Sequence, residues 1–299
     1  MQGSTETPDN PSTLWKSVGG RNWVESQRLM DHLFKPIEVL LAEAVECLSP
    51  QRVLDIGCGT GGTTRTISRY MRAEGRATGV DISEIMIEAA RQGTERRHKE
   101  RDRVEEERVE REAREKENLA PEFICADAAT YDFCEGRYDM LVSRFGIMFF
   151  DDPVKAFQNL RRAAARDARG MFIVWRSPKE NPFMTAAAHA AKSIVALPQY
   201  VPDAPGQFAF ADPQRVENIL EAAQWHHISI EPLDFECSFP ETSLISYFTR
   251  LGPLGRVFPD LDETTQARLI PVVREAFEPF VSGDTVTFNA ACWQIRARA

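Results

Sequence analysis

The feature that most constrains the fold is a glycine cluster that directly follows a short apolar run. The stretch "VLDIGCGTGG" occupies residues 53–62 and holds Gly57, Gly59, Gly61 and Gly62. Glycine allows a backbone to adopt positive φ and to approach a ligand closely. A helix that begins after such a loop directs its free N–H groups at that ligand and favours an anionic group there. The stretch therefore predicts a buried strand, a ligand-binding turn and a helix.

Strand and helix patterns alternate along the first two thirds of the chain. Alternation of this kind is typical of a doubly wound α/β fold whose parallel sheet is covered by helices on both faces. We therefore expect an α/β fold with a doubly wound, mostly parallel, seven-stranded sheet. The predicted strands are 52–57, 76–83, 121–127, 138–143 and 170–175, followed by two closing strands at 227–233 and 285–295.

The segments that do not fit this alternation are predicted to be helical and to lie over one edge of the sheet. Residues 14–48 show helical periodicity interrupted by Pro36, and 177–211 and 236–283 are rich in proline. The predicted organisation is an N-terminal helical lid (1–48), a core (49–176), a cap (177–211) and a C-terminal part of the core (212–299) that carries a helical insertion at 236–283.

Residues 94–118 differ from the rest of the chain because almost every side chain is charged. They hold ten acidic residues, nine Lys or Arg and one His. Opposite charges four residues apart stabilise a helix in water without a core. We predict a long charged helical insertion that extends the helix beginning near Ser83. Two interpretations remain open: a solvated helix or partly disordered loop, and an arm that docks a protein partner or a second copy of the chain.

The composition excludes several classes of protein. The formal net charge is −9, which disfavours a general nucleic-acid-binding surface. No apolar run approaches the roughly 18 residues needed to span a bilayer, and no clustered His, Asp and Glu pattern predicts a metal site. The six cysteines form no CxxC pair, and no signal peptide is evident. We expect a cytoplasmic protein with reduced thiols and no membrane or metal association.

Two acidic residues narrow the ligand of the glycine loop. Asp81 ends the second predicted strand, 22 residues after Gly59, where a carboxylate can accept hydrogen bonds from a ribose diol. Gly57, Gly59 and Gly62 also satisfy the dinucleotide pattern G-x-G-x-x-G, so an NAD(P) oxidoreductase is one alternative. Asp55 argues against it, since a carboxylate is unfavourable beside a pyrophosphate but suits the ammonium group of an amino-acid ligand.

The successive motifs resemble those of class I S-adenosylmethionine-dependent methyltransferases. The motifs are "VLDIGCGTGG", "GVDIS", "FICADAATYDF" and "YDMLVSRFGIMFF", in that order. They are most similar to the group that includes the ubiquinone and menaquinone biosynthesis methyltransferases, over roughly residues 50–176. The resemblance implies a Rossmann-like methyltransferase fold, with S-adenosylmethionine as cofactor and S-adenosylhomocysteine as product. The charged insertion at 94–118 departs from the family pattern.

The resemblance also assigns roles to positions in these motifs. It implies that Asp55 holds the methionyl ammonium group, that three glycines line the cofactor and that Asp81 binds the ribose hydroxyls. The adenine would contact the next residue and the loop after the third strand, and the methionyl part would lie beside the end of the fourth strand. The implied cofactor-binding residues are Asp55, Gly57, Gly59, Gly61, Asp81, Ile82, Asp127, Ala128 and Ser143.

The methyl acceptor requires an apolar pocket that excludes water and aligns the reacting groups. Arg144 is a candidate to bind a carboxylate on the acceptor, and Arg144 and His189 are the weak candidates for a catalytic role. The candidate pocket residues are Trp15, Trp23, Arg144, Phe145, Met148, Trp175, Phe183 and Phe208.

The function most consistent with these features is methyl transfer from S-adenosylmethionine to a small organic acceptor. A macromolecule-directed methyltransferase that uses the charged helix as a docking arm is one alternative. A cofactor-binding regulator without turnover is another, because binding and catalysis are separable.

Overall fold

The computed structural model describes residues 11–104, 120–198 and 201–299, with side chains described outside 11–12 and 96–104. Within these residues, the strands form one sheet in the order β3-β2-β1-β4-β5-β8-β6, and β7 pairs with β8. The strands are β1 Arg52–Ile56, β2 Arg76–Asp81, β3 Glu122–Cys125, β4 Tyr138–Arg144, β5 Ala164–Trp175, β6 His226–Pro240, β7 Val281–Ser282 and β8 Thr285–Arg298.

The sheet confirms the predicted doubly wound, mostly parallel architecture. Strands β1 to β5 are parallel to one another, whereas β8 is antiparallel to β5 and to β6. The centre of the sheet is apolar on both faces, as helices on both sides require, and Val53, Leu54 and Leu141 are fully buried. The very short β7 is an addition to the seven strands that the sequence predicts.

Helices cover both faces of this sheet and one of its ends. Asp152 and Asp212 each begin a helix by accepting a backbone N–H bond, and a proline follows each at the first helical position. The helices are α1 Pro11–Trp15, α2 Val18–Glu25, α3 Gln27–Leu33, α4 Lys35–Leu48, α5 Gly62–Tyr70, α6 Glu84–Val104, α7 Pro153–Ala163, α8 Pro182–Ala191, α9 Pro213–Ala222, α10 Leu244–Arg250, α11 Gly252–Val257 and α12 Glu263–Glu275.

Helix α6 contains the first part of the charged segment. Its backbone is helical through Val104, so it includes residues 94–104 of the predicted insertion. The remaining residues of 94–118 lie outside the described residues, and the insertion stays a prediction. No helix among the described residues is long and apolar enough to cross a membrane.

The predicted helical insertion at 236–283 is wrong at both ends. Residues 236–240 complete β6, and Val281 and Ser282 form β7, so helices occupy the part between them. The last residue of β5 that pairs with β8 is Trp175, opposite Cys292. Residues 285–291 therefore pair with β6 beyond the end of β5 and project past the sheet edge. This projecting part of β8 packs against the segment 177–211, through the contact of Ala291 with Asn181.

Candidate functional site

One large cavity lies at the carboxyl edge of the parallel strands and has a volume of about 480 Å³. The turns after β1, β2 and β3 form one part of its lining, which we call the loop half. The turns after β4 and β5, together with the helices that cover them, form the other part, which we call the aromatic half. Open α/β sheets bind ligands at this edge.

The turn after β1 brings the backbone into the loop half. Gly57 has φ of +66°, and a Cβ built there would lie 2.6 Å from the Cα of Gly146. No side chain fits between these two backbone segments, so glycine is required. Gly59 also lines the cavity. Gly61 does not line the cavity. It packs against Phe123 instead, and a Cβ at that position would lie 2.6 Å from the Phe123 ring.

Asp81 ties the glycine turn to the end of β2. Its Oδ2 accepts a hydrogen bond from the Gly59 backbone N–H at 2.9 Å, and its Oδ1 accepts one from the Ser83 N–H at 2.8 Å. Burial raises the pKa of this carboxyl group, and the backbone hydrogen bonds oppose that rise. The side chain also lines the cavity, so one carboxylate both fixes the turn and faces a ligand.

Asp55 lies at the floor of the loop half, near the end of β1. It is buried, and its Oδ2 accepts a hydrogen bond from the Thr64 hydroxyl at 2.6 Å. Burial raises its pKa from 3.8 to about 7, against the opposing effects of the Thr64 hydrogen bond and the charge of Arg144. A cationic group bound beside Asp55 would favour its ionised form.

Two buried polar atoms at this cavity lack a hydrogen-bond partner in the described part of the chain. They are the Oγ1 of Thr63, in the first turn of α5, and the Nη1 of Arg144, at the end of β4. Both residues line the cavity. A buried donor without a partner is unfavourable, so both atoms indicate ligand groups that the protein alone does not supply.

The remaining predicted cofactor residues lie in or behind the loop half. Ile82, Asp127 and Ala128 line it, and the Oδ1 of Asp127 accepts a hydrogen bond from the Ala129 N–H at 2.9 Å. Ser143 is fully buried behind the lining. Its hydroxyl donates to the Ile56 carbonyl at 2.7 Å and accepts from the Gly146 N–H at 3.1 Å, which joins the turns after β1 and β4.

Stacked aromatic rings form the walls of the aromatic half. Phe145 stacks on Trp175 with a centroid distance of 4.3 Å, and Phe183 stacks on Phe288 at 3.9 Å. Phe145 has φ of +64°, an uncommon conformation for a bulky residue and typical of functional sites. The other predicted residues in this lining are Trp15, Trp23, Arg144 and Met148.

Two of the predicted residues lie away from the cavity. Phe208 is half-buried and does not line it, and His189 is exposed on α8. None of the histidine side chains that the structure describes lines the cavity. The sequence analysis missed Thr63, Phe34, Tyr247, Phe277 and Phe288. Thr63 has a local signal, its position in the first turn after the glycines, whereas the aromatic residues have none.

The N-terminal helices and the helices between β6 and β7 meet over the cavity. The side-chain amide of Asn22 donates to the carbonyls of Arg250 at 2.9 Å and Gly255 at 3.3 Å. An ion pair of 3.6 Å joins Arg250 to Glu25. These contacts link α2 to the region of α10 and α11, so distant parts of the chain close the same pocket.

A second set of contacts fixes α8, which carries Phe183. The side-chain amide of the buried Asn181 donates to the Ala291 carbonyl at 2.9 Å, and its Oδ1 accepts from the Ala291 N–H at 3.0 Å. Both backbone groups belong to the projecting part of β8. The start of α8 is thus fastened to the same strand that supplies Phe288.

Comparison with known proteins agrees with this geometry. Residues 54–172 match the family model described as a methyltransferase domain. Aklanonic acid methyltransferase DauC of Streptomyces sp. (strain C5) is 29% identical over 152 residues, which are 50% of this chain and 59% of that protein. The ubiquinone/menaquinone biosynthesis C-methyltransferase UbiE of Serratia proteamaculans is 24% identical over 176 residues, 59% of this chain and 60% of that protein.

A solved structure shows the same fold. The YcgJ protein of Bacillus subtilis superposes with a TM-score of 0.52 at 18% identity, covering 87% of this chain and 97% of that one. The matches to DauC and UbiE each span less than two thirds of those proteins. The ordered motifs, the sheet topology and the matched family model lead to one conclusion: residues 54–172 form a methyltransferase domain of the class I S-adenosylmethionine-dependent type.

Proposed function

We propose that this protein transfers a methyl group from S-adenosylmethionine to a small organic acceptor bound in the aromatic half. The observation that carries the proposal is the single cavity with two chemically different halves. The loop half offers carboxylates and a buried unpartnered hydroxyl, and the aromatic half offers apolar rings. A transferase needs both ligands in one water-excluding site, side by side.

The polar groups of the loop half match the two ends of the cofactor. Asp55 would accept hydrogen bonds from the methionyl ammonium group, and the Thr63 hydroxyl would donate to the methionyl carboxylate. Asp81 would accept from the ribose diol. When bound, the cofactor supplies an electrophilic methyl group on a positively charged sulfur.

Residues at the adenine side complete the proposed site. Ile82 would pack on the adenine ring, and Asp127 and Ala128 would bind the adenine amino group, as the resemblance to the family implies. Gly61 and Ser143 would act indirectly, because they fix the turns after β1 and β4 without lining the cavity.

The aromatic half would contribute alignment and exclusion of water rather than acid–base chemistry. No imidazole among the described side chains reaches the cavity, so an acceptor that is already nucleophilic at neutral pH fits best. The relatives support a small acceptor, since one is named for aklanonic acid and another for ubiquinone and menaquinone biosynthesis.

Calorimetric titration tests the cofactor assignment. S-adenosylhomocysteine should bind and NAD should not, and Asp81→Ala should weaken S-adenosylhomocysteine binding by about 1.5–3 kcal/mol, the range for hydrogen bonds to a charged group. Unchanged affinity in that variant would contradict the ribose role of Asp81, and preferential NAD binding would contradict the proposal.

Radiolabelled methyl transfer into a cell extract, followed by separation by size, tests the acceptor class. Label in the low-mass fraction would support the proposed function. Label in protein or nucleic acid would instead indicate a macromolecule-directed enzyme. Binding of S-adenosylhomocysteine without label in any fraction would indicate a regulator.

A further inference from the structure

Arg144 lines the cavity and has one guanidinium nitrogen without a hydrogen-bond partner among the described residues. Its Nη1 is buried and makes no hydrogen bond to any described residue. A guanidinium group is always charged and presents donors in a planar fork that fits carboxylate oxygens. Its neighbour Asp55 is hydrogen-bonded to Thr64, and no ion pair joins Asp55 to Arg144 within the described chain.

The guanidinium group faces the aromatic half. It lies 5.9 Å from the ring centroid of Phe34, and Phe34 contacts Phe145 and Trp175 edge-on at 5.1 and 5.7 Å. Arg144 ends β4, Phe145 follows it and Trp175 ends β5. These strands lie on the opposite side of β1 from β2 and β3, which lead to Asp81 and Asp127. The position of Arg144 therefore favours a role toward the acceptor over a role toward the cofactor.

Two other cations at the cavity have anionic partners. Lys155 pairs with Asp152 at 3.0 Å, and Arg250 pairs with Glu25 at 3.6 Å. Arg144 differs from both because it lines the cavity with a buried donor that no described residue accepts from. An anionic oxygen at that point would satisfy the donor and neutralise the charge.

The walls beyond Arg144 are suited to flat rings. The two stacked pairs, Phe145 with Trp175 and Phe183 with Phe288, all line the cavity. Burial raises the pKa of Tyr247, so its phenol at the far end stays protonated. A ligand that is charged at one end and apolar over the rest of its length matches this gradient.

On the basis of the proposed function, we infer that the methyl acceptor is a ring-containing organic acid whose anionic oxygen binds the Nη1 of Arg144. The anion's own oxygen, or the carbon conjugated with it, forms the new bond to the methyl carbon. The carbon–sulfur bond breaks, and its electron pair remains on sulfur. The acceptor enters as an anion, so no histidine is needed to remove a proton.

Binding of a defined probe tests the inference without turnover. The dissociation constants of 2-naphthoate and of its neutral isostere 2-naphthamide would be measured by calorimetry in saturating S-adenosylhomocysteine. Naphthoate should bind the native protein at least about tenfold more tightly than the amide, as expected for a charge-assisted hydrogen bond. Arg144→Met should abolish that preference, and Arg144→Lys should keep part of it.

Matched measurements separate this role from others. Arg166→Met removes an exposed arginine from β5 and should leave the preference unchanged. Arg144→Met should change the affinities for S-adenosylhomocysteine and for its decarboxylated analogue by the same factor, because loss of the charge near Asp55 affects both ligands and a contact to the carboxylate would affect only the first. The inference would be overturned if naphthoate did not bind or bound no better than the amide. It would also fail if Arg144→Met weakened S-adenosylhomocysteine but not its decarboxylated analogue, which would assign Arg144 to the cofactor.

Partition of the natural acceptor provides a second test. A small-molecule extract would be divided into acids, bases and neutral compounds by solvent extraction at acidic and mildly alkaline pH, and each fraction would be offered with labelled S-adenosylmethionine. Label should appear with the acid fraction. Label with the neutral or basic fraction would overturn the inference and leave the proposed function intact. No label in any fraction would contradict the proposed function itself.

Discussion

The two halves of the cavity differ in how the chain builds them. The loop half is made by turns that each follow a strand directly, and its key contacts join the turns after β1 and β2, as in the bond from the Gly59 N–H to Asp81. The aromatic half collects side chains from α1, α8, α10 and β8, more than two hundred positions apart between Trp15 and Phe288. One half depends on backbone geometry and the other on packing.

This difference teaches which part of such a protein can diverge freely. Backbone turns of fixed geometry tolerate few residue types, so the loop half keeps a recognisable motif. Apolar packing tolerates exchange among residues of similar volume, so the aromatic half can change its shape while the fold persists. Under the proposed function, the acceptor is therefore specified where the sequence carries the weaker signal.

Loss of a core ring in the aromatic half should have the largest effect on stability. Phe183 is fully buried and contacts Phe239, Tyr247, Phe277, Phe280 and Phe288. Phe183→Ala should lower the free energy of unfolding by about 3–5 kcal/mol, as for other buried phenylalanines. Urea denaturation measures this loss. Calorimetry should show that S-adenosylhomocysteine still binds, and a parallel loss of affinity would contradict the independence of the halves.

Adding a side chain at Gly57 should disrupt the loop half, whereas the previous change removes a side chain from the aromatic half. Gly57→Val adds a Cβ 2.6 Å from the Cα of Gly146 and forces valine into positive φ. Strain and overpacking together should cost about 3 kcal/mol and abolish cofactor binding. The control is Gly136→Val, which has φ of +63° but no atom within 4 Å of the added Cβ. Retained S-adenosylhomocysteine binding in Gly57→Val would refute the required backbone approach.

The pH dependence of Asp55 should distinguish stability from binding. Its folded-state pKa of about 7 exceeds the ordinary aspartate pKa of 3.8, so the native state binds more protons than the unfolded state between these values. The contribution of Asp55 to stability should therefore fall as pH rises from about 4 to 7, by at most about 1.4 kcal/mol per pH unit. Asp55→Asn should remove this dependence, as measured by urea denaturation of both forms at several pH values.

Cofactor affinity should change with pH in the opposite direction. An ammonium group binds the ionised carboxylate, so S-adenosylhomocysteine should bind more tightly as pH rises through about 7, where Asp55 loses its proton. Calorimetry across this range measures the effect. Affinity that is independent of pH in the native protein, or a pH dependence that Asp55→Asn retains, would contradict the role given to Asp55.

A smaller loss of cofactor affinity should follow from removing the unpartnered Thr63 hydroxyl of the loop half. Thr63→Val removes the buried Oγ1 with little change of volume. S-adenosylhomocysteine should bind about 1.5 kcal/mol more weakly, whereas its decarboxylated analogue should bind both forms equally. Equal losses for the two ligands would show that the hydroxyl does not contact the carboxylate.

Shortening the charged segment should have the smallest effect. Replacing residues 97–118 by a short glycine–serine linker removes a sequence with few apolar side chains, so the melting temperature should change little. The kcat/KM for a small acceptor should also stay the same. A large drop in kcat/KM would support the docking-arm alternative.

Much of the fold and of the loop half is predictable because the signals are local. The strand, glycines and helix at 52–70, and the acid that ends β2, lie within short windows that specify backbone geometry. The same windows do not determine which way a side chain faces. Gly61 and Ser143 were therefore assigned to the lining, although Gly61 packs on Phe123 and Ser143 lies behind the turns.

The aromatic half is less predictable because its residues meet only through tertiary packing. Aromatic residues in helices are equally suited to a core and to a pocket, so the sequence cannot separate Phe183, which lines the cavity, from Phe208, which does not. The predicted strand ends at 233, although residues 234–239 alternate polar and apolar side chains as a half-buried strand does, because the proline content of 236–283 indicates helices and turns instead. Their pairing with β8 supplies the missing order, as in Cys237 opposite Phe288.

The paired ends of the C-terminal insertion have a consequence for how this protein can acquire new specificity. Pro240 and Thr285 are partners in the ladder between β6 and β8, so the chain from 241 to 284 leaves and re-enters the sheet at adjacent positions. Replacing a segment whose ends are already held together costs little additional chain entropy, even when its length changes. The segment 241–284 can thus be replaced as a unit between fixed ends, while the residues that would bind the methyl donor stay unchanged.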